Sequence, residues 1–151
     1  MKIYNLKDKI EYVEEVAQLE YEEWADNKEI DKVNRISKKK NKIINMFNEK
    51  SFCKLILLDE EKLIGFVSIF PHDCDELPDL TPWYATMYVK KEYRKKEYSK
   101  ILNDAILNEA RNRGFKEIFL KTELDNYYEK FGAKLIKNIN CNEKLYKFVL
   151  Y

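Results

Sequence analysis

The stretch with the most chemical potential is Trp83 to Lys100, WYATMYVKKEYRKKEYSK. An apolar strand ends at Val89, a turn dense in Lys and Arg follows, and a helix opens near Tyr98. A turn that feeds a helix start offers free backbone N–H groups and the positive end of the helix dipole, and both suit a phosphate. Arg94, Lys95, Lys96 and Lys100 add four cations within seven residues. From composition alone the same residues also read as an ordinary basic turn. Ahead of the strand lies the opposite charge. The loop Asp73-Cys74-Asp75-Glu76-Leu77-Pro78-Asp79 carries four acids in seven residues, which would attract a cation or supply a base and equally read as a solvated loop. His72 is the only histidine and has the pKa class of a base near neutrality.

The elements that must position these groups follow from periodicity. Met1–Leu6 reads as a first strand. Asp8 with Glu11 resembles a capping box, and Ile10, Val13, Ala17, Tyr21 and Trp24 recur at helical spacing, predicting a helix from Asp8 to Ala25. Asp26 with Glu29 looks like a second start, leading through Ile30, Val33, Ile36, Ile43, Ile44 and Phe47 to about Asn48. Lys38-Lys39-Lys40 on that helix reads as a solvated face or a phosphate contact. Phe52–Leu58 and Leu63–Phe70 form an antiparallel hairpin around Asp59–Lys62, and a polar loop holding all three prolines leads to the strand Trp83–Val89. A helix from about Tyr98 is ended by Gly114. Glu117–Thr122 is a strand, Asn126–Phe131 a short helix stopped by Gly132, and Ala133–Ile139 and Leu145–Leu150 close the chain. The order is β-α-α-β-β-β-α-β-α-β-β. It predicts an α/β fold with a mixed, mostly antiparallel sheet flanked by helices and one parallel crossover around Trp83–Thr122.

Composition excludes several classes. A chain of 151 residues, 45% hydrophobic and 36% charged, is the size of one domain, expected over residues 1–151, with a heavily charged surface. Lys plus Arg is 28 and Asp plus Glu 27, so a net charge of +1 disfavours nucleic acid and acidic membranes as partners. No apolar run approaches the ~20 residues of a membrane helix, and the strand-like start runs into charge, so no signal peptide is expected. Cys53, Cys74 and Cys141 are far apart and form no CxxC. They predict reduced thiols in a cytoplasmic setting and no zinc cage. Cys53 and Cys141 are expected in the core.

Val89-x-x-x-x-Arg94-x-x-Glu97-x-Ser99 resembles motif A of the GNAT acetyltransferases, V-x-x-x-x-[RQ]-x-x-G-x-[GA], and the element order resembles the GNAT order throughout. His72-Asp73, Leu80-Thr81-Pro82-Trp83 and Tyr127-Tyr128-Glu129-Lys130-Phe131-Gly132 are similar to flanking signatures of a bacterial branch acting on small amines. The resemblance implies acetyl-CoA as co-substrate, no metal, direct acetyl transfer to a small-molecule or peptide amine, and a monomer or homodimer. It also implies roles. Backbone groups of Met87, Tyr88 and Val89 would pair with the pantetheine arm as an added strand, and an N–H there would face the oxyanion. The pyrophosphate would lie on Arg94, Lys95, Lys96, Glu97, Tyr98, Ser99 and Lys100. Tyr128 would protonate the departing thiolate, and the acidic loop would lie at the acceptor mouth with Glu76 and Asp79 as bases, Glu123 being another candidate.

Two positions depart from the family pattern: Glu97 stands where it has glycine, and Ser99 where it has Gly or Ala. Glycine lets the backbone approach phosphate and adopt positive φ. A Glu97 carboxylate at about 6 Å and an effective dielectric of about 20 repels on the order of 2–3 kcal/mol, which nearby lysines and a turn to solvent reduce. Weakened binding is therefore expected, and a catalytically weak or inactive CoA-binding module is the alternative function.

Overall fold

The computed structural model describes residues 1–25 and 31–151. The expected second start signal at Asp26 and Glu29, and Ile30, lie outside the described residues. The elements are β1 (Lys2–Asn5), α1 (Val13–Trp24), α2 (Lys32–Met46), β2 (Cys53–Asp59), β3 (Lys62–Phe70), β4 (Trp83–Val89), α3 (Tyr98–Asn112), β5 (Glu117–Thr122), β6 (Lys134–Asn138) and β7 (Lys144–Val149). The strands form a seven-stranded sheet in the order β1-β2-β3-β4-β5-β7-β6. Every neighbouring pair is antiparallel except β4 and β5, which α3 joins as a crossover. This is the predicted α/β architecture.

The first helix begins later than its capping signal suggests. Two 3₁₀ turns, Leu6–Asp8 and Ile10–Tyr12, precede α1, and Lys9 between them leaves helical geometry at φ −138°, ψ 54°. The Asn5 side chain, rather than Asp8, takes the Lys7 N–H. The Tyr12 hydroxyl donates to the Glu61 carbonyl at 2.7 Å, tying this segment to the β2–β3 turn. In α2 the predicted apolar stripe is only partly used. Ile43 is buried, whereas Val33 and Ile44 are exposed.

Helices cover both faces of the sheet. Leu102, Ile106 and Ala110 of α3 pack on Tyr84, Ile118 and Phe148. On the opposite face Val16, Ala17 and Ile43 of α1 and α2 pack on Ile56 and Phe66. A smaller cluster of Cys74, Trp83, Phe119 and Leu145 anchors the β3–β4 loop. Cys53 is buried as expected, and burial pushes its thiol up to about 11. Cys141 is exposed, contrary to the core position expected of it, because it falls in the turn between β6 and β7 rather than in a strand.

Two irregularities shape β4. Its only register pair with β5 is Trp83 with Phe119, so the two parallel strands separate beyond that point. Against β3 the register shifts between Phe66 and Ser68, where two steps of β3 oppose three of β4. The extra step contains Thr86 at φ 49°. A β-branched residue in left-handed geometry is strained by about 1–3 kcal/mol, and such bulges bend the strand that carries them.

Candidate active site

A cavity of about 940 Å³ opens where β4 leaves β5. Its walls come from the end of β4 (Met87, Tyr88, Val89), the basic turn running into α3 and the 3₁₀ turn Tyr128–Phe131 that follows β5, and Glu23 of α1 and Leu124 complete them. Of the residues singled out in the sequence around the basic turn, Arg94, Lys95, Glu97, Tyr98, Ser99 and Lys100 line the cavity. Lys96 is exposed and stands outside the lining.

The β4 wall depends on a glycine in the neighbouring strand. Gly65 lies opposite Val89, and a Cβ there would sit 2.4 Å from the Tyr88 carbonyl oxygen and 3.1 Å from the Val89 Cα. Only hydrogen allows that approach. On its other edge β4 has no strand partner after Trp83 among the described residues, so its outward backbone groups from Tyr84 onward, apart from the Val89 carbonyl, are left for another extended chain.

The turn is built by two left-handed residues, Lys95 at φ 65° and Glu97 at φ 65°. Glu97 is the N-cap of α3, and among the described residues no side chain caps that helix start. The first N–H groups of a 15-residue helix, with its positive dipole end, thus stand at the cavity wall. Glu97 occupies the conformation that glycine adopts without strain, and its side chain is exposed. Arg94 folds back. Its Nε donates to the Val89 carbonyl at 2.8 Å and its guanidinium lies 5.6 Å from the Tyr88 ring, which fixes the turn against β4.

Across the cavity Tyr128 is packed edge-on against Tyr127 at 4.8 Å and Tyr84 at 5.7 Å between ring centroids. Its carbonyl accepts from the Ala133 N–H at 3.2 Å. Burial, reinforced by Tyr127, pushes the phenol up to about 12, so it is protonated throughout the neutral range. The neighbouring Tyr84 hydroxyl is buried without a hydrogen-bond partner among the described residues, and its proton is held well above the ordinary phenol range, by burial first and then by Tyr128.

Glu76 and Asp79 are exposed on the β3–β4 loop and do not line this cavity. That loop seats Cys74, Leu77 and Leu80 against Trp83, and the Trp83 indole donates to the Leu80 carbonyl at 2.8 Å. Asp73 of the same loop is half-buried. Partial burial pushes its carboxyl up to about 6, opposed by Lys121 and reinforced by Glu143. The acids that do line the cavity are Glu23, at the end of α1, and Glu97. Glu23 sits on the polar side of an amphipathic helix, and its spacing does not set it apart from Glu22. Among the described residues no group of three His, Cys, Asp or Glu side chains could hold a metal ion, and no helix is long and apolar enough to cross a membrane.

Residues 10–133 match the model of the Acetyltransferase (GNAT) family. The chain belongs to that family. As a GNAT acetyltransferase, it is similar in fold to solved structures along its whole length. A ribosomal-protein-alanine N-acetyltransferase from Brucella melitensis matches at 14% identity, covering 99% of each chain, with a TM-score of 0.72. The aminoglycoside 6′-N-acetyltransferase from Enterococcus faecium matches at 16% identity, covering 100% of this chain and 98% of that one, with a TM-score of 0.69. The PaiA N-acetyltransferase from Thermoplasma acidophilum, solved in complex with coenzyme A, matches at 20% identity over 99% of each chain, with a TM-score of 0.67. No curated protein matches the sequence.

Proposed function

We propose that this GNAT acetyltransferase uses acetyl-CoA to acetylate the primary amine of a small cationic or peptide acceptor, by direct transfer in a cytoplasmic setting. The observation that carries this reading is the meeting, in one cavity, of an unpartnered β4 edge, an uncapped helix start beside a basic turn, and the neutral phenol of Tyr128. The donor set suits the co-substrate. The α3 start with Lys95 and Lys100 suits a pyrophosphate, and the backbone of Met87 to Val89 suits the amides of a pantetheine arm. A backbone N–H of that strand, aimed at the carbonyl undergoing attack, stabilises the tetrahedral oxyanion.

Tyr128 then acts as the acid on the leaving sulfur. Its proton is held about 3–4 pKa units more tightly than an ordinary thiol holds its own, roughly 5 kcal/mol, so complete transfer at rest is unfavourable. A hydrogen bond that strengthens as negative charge develops on sulfur supplies the stabilisation in the transition state, where it accelerates the reaction. The acceptor's ammonium must lose a proton before attack. Glu23 is the acid that the cavity itself offers for this, apart from Glu97 in the phosphate turn. Glu76 and Asp79 are left to attract cationic acceptors at longer range.

A CoA-binding module without turnover is the second reading, and Glu97 is what favours it, since a carboxylate at the phosphate turn opposes an anionic ligand. Calorimetry with acetyl-CoA, followed by a free-thiol assay over a panel of amines, separates the two. Binding with acceptor-dependent thiol release is expected. Binding without release from any amine supports the module, and no heat at millimolar acetyl-CoA overturns both.

A further inference from the structure

A buried polar cluster lies outside the cavity lining. On the α1 and α2 face of the sheet, the ammonium of Lys54 in β2 is wholly buried. It donates to the Glu20 carboxylate of α1, to Ser68 Oγ of β3 at 2.6 Å and to Thr86 Oγ1 of β4 at 3.3 Å. Those are three acceptors for the three N–H bonds an ammonium carries. Ser68 Oγ and Thr86 Oγ1 share a further hydrogen bond of 2.5 Å. Lys39 of α2 stands 3.8 Å from the other Glu20 oxygen, and the rings of Phe66 and Phe70 lie 5.5 Å and 5.0 Å from the Lys54 nitrogen. Lys54 of β2 thus ties α1, β3 and β4 together, and losing any one of these bonds leaves an N–H of a buried ammonium unsatisfied.

The outer end of the network is the strained residue of β4. Thr86 stands at φ 49°, and the next three residues, Met87, Tyr88 and Val89, form the cavity wall. Isolated from its partners, a threonine in this strand would relax to extended geometry and turn Met87 to Val89 with it. We propose that Thr86 is a positioning residue: held by Ser68 and the Lys54–Glu20 pair, it fixes the bend of β4 that presents Met87, Tyr88 and Val89 to the acyl donor. The proposal rests on the reading of this cavity as the acetyl-CoA site. Glu20 lies one helical turn before Glu23, so the same anchor also sets the end of α1 at the cavity.

Two substitutions at one position test it. Thr86→Val keeps shape and branching but loses the hydroxyl, so positive φ has nothing to hold it. Thr86→Gly loses the same hydroxyl yet adopts positive φ freely. Both remove one acceptor from Lys54 and lower the melting temperature alike, whereas only the valine variant releases the bend. Acetyl-CoA should bind T86V about 10-fold more weakly, about 1.4 kcal/mol, and T86G within about threefold of the unaltered protein. S68A, which keeps the Lys54–Thr86 bond, should fall between. Ligand-free crystals give a readout independent of binding: residue 86 should keep positive φ in T86G and leave it in T86V. Should the unaltered protein bind no acetyl-CoA, the functional reading fails and the crystal comparison still decides the network. The proposal is overturned if the valine variant binds as tightly as the unaltered protein, if glycine is no better than valine, or if the valine variant keeps the left-handed geometry.

Discussion

The loop ahead of β4, residues 71–82, and the turn behind it, residues 90–97, are both dense in charge, yet they differ in every other respect. The loop turns apolar residues inward, with Cys74, Leu77 and Leu80 packed on Trp83 and Phe119, and leaves Glu76 and Asp79 in solvent. The turn does the reverse. Its side chains are mostly exposed, while two left-handed residues bend its backbone into the cavity wall and onto the start of α3. β4 separates the two by seven residues, roughly 23 Å of strand. A charged segment contributes to a site first through the strand end it occupies and the backbone it exposes, and the sign of its side chains then tunes that site. Chemistry should therefore be sensitive to changes at the far end of β4 and almost blind to changes at its start.

The largest expected effect is at Tyr128. Tyr128→Phe keeps the ring and its edge contacts with Tyr84 and Tyr127 and removes the proton donor. We expect kcat to fall roughly 10²- to 10⁴-fold, with acetyl-CoA affinity and melting temperature nearly unchanged. Steady-state kinetics on the best acceptor checks this, with Tyr127→Phe as the near-silent control. Full activity would mean that water is the acid. Next is Gly65→Ala. The added carbon meets the Tyr88 carbonyl at 2.4 Å, so β4 must move at Val89. Overpacking of this kind costs about 1–3 kcal/mol, or roughly 3–10 °C in a chain of this length. Acetyl-CoA affinity should drop at least ~10-fold, beyond what the stability loss explains. A variant that is destabilised but binds normally would show that the β4 wall is adaptable and would weaken the contrast between its two ends.

What was legible in the sequence was local. The limits of β4 and β5 coincide with their apolar runs, because turn residues and charges bound both within a few positions. The order of elements and the basic turn follow from the same punctuation. What was not legible depends on partners far along the chain. Lys54 is a lone charge in an apolar strand, and nothing near it shows that its counterion is Glu20, 34 residues earlier. The start of α1 is set by Asn5 and by a Tyr12 hydroxyl that reaches Glu61, so a capping pattern at Asp8 misplaces it. The acids follow the same rule. Glu76 and Asp79 stand out by density, whereas Glu23 reaches the cavity only because α1 ends beside Tyr88, where Trp24 meets that ring at 6.3 Å.

A smaller effect is expected at Glu97, where two penalties coincide. Its φ of 65° strains any residue with a Cβ, and its carboxylate stands in a turn suited to an anion. Glu97→Gly removes both and should tighten acetyl-CoA about 3- to 30-fold, with equal or slightly higher melting temperature. Glu97→Ala removes only the charge, so the step from alanine to glycine isolates the backbone strain, on the order of 1 kcal/mol. Acetyl-CoA titrations of the three proteins read the charge effect, and their melting temperatures read the strain, which free and bound states share. If glycine leaves affinity unchanged, the exposed carboxylate already points away and the phosphate turn tolerates it.

The smallest effect belongs to the other end of β4 and has a definite sign. Asp73 titrates near 6 in the folded protein, raised from 3.8 chiefly by burial, with Lys121 opposing and Glu143 reinforcing. The folded state therefore holds this proton more tightly than the unfolded chain does. The stability this carboxyl contributes is fully present below about pH 4, declines as pH rises to about 6, and is flat beyond. Asparagine cannot ionise, so Asp73→Asn should match the unaltered protein at pH 4 and gain on it through that window. By pH 7–8 the gain should reach on the order of 1 kcal/mol once solvent screening of a partly exposed group is allowed for, roughly 2–4 °C. Thermal melts of both proteins across that range measure the difference. A gap that is the same at pH 4 and pH 8 would mean that Asp73 is solvated. Acetyl-CoA affinity should not change at any pH, since the loop anchors the start of β4 and the cavity lies at its end. A shift in that affinity above pH 6 in the unaltered protein, absent from D73N, would show that the charge of this loop does reach the far end of the strand.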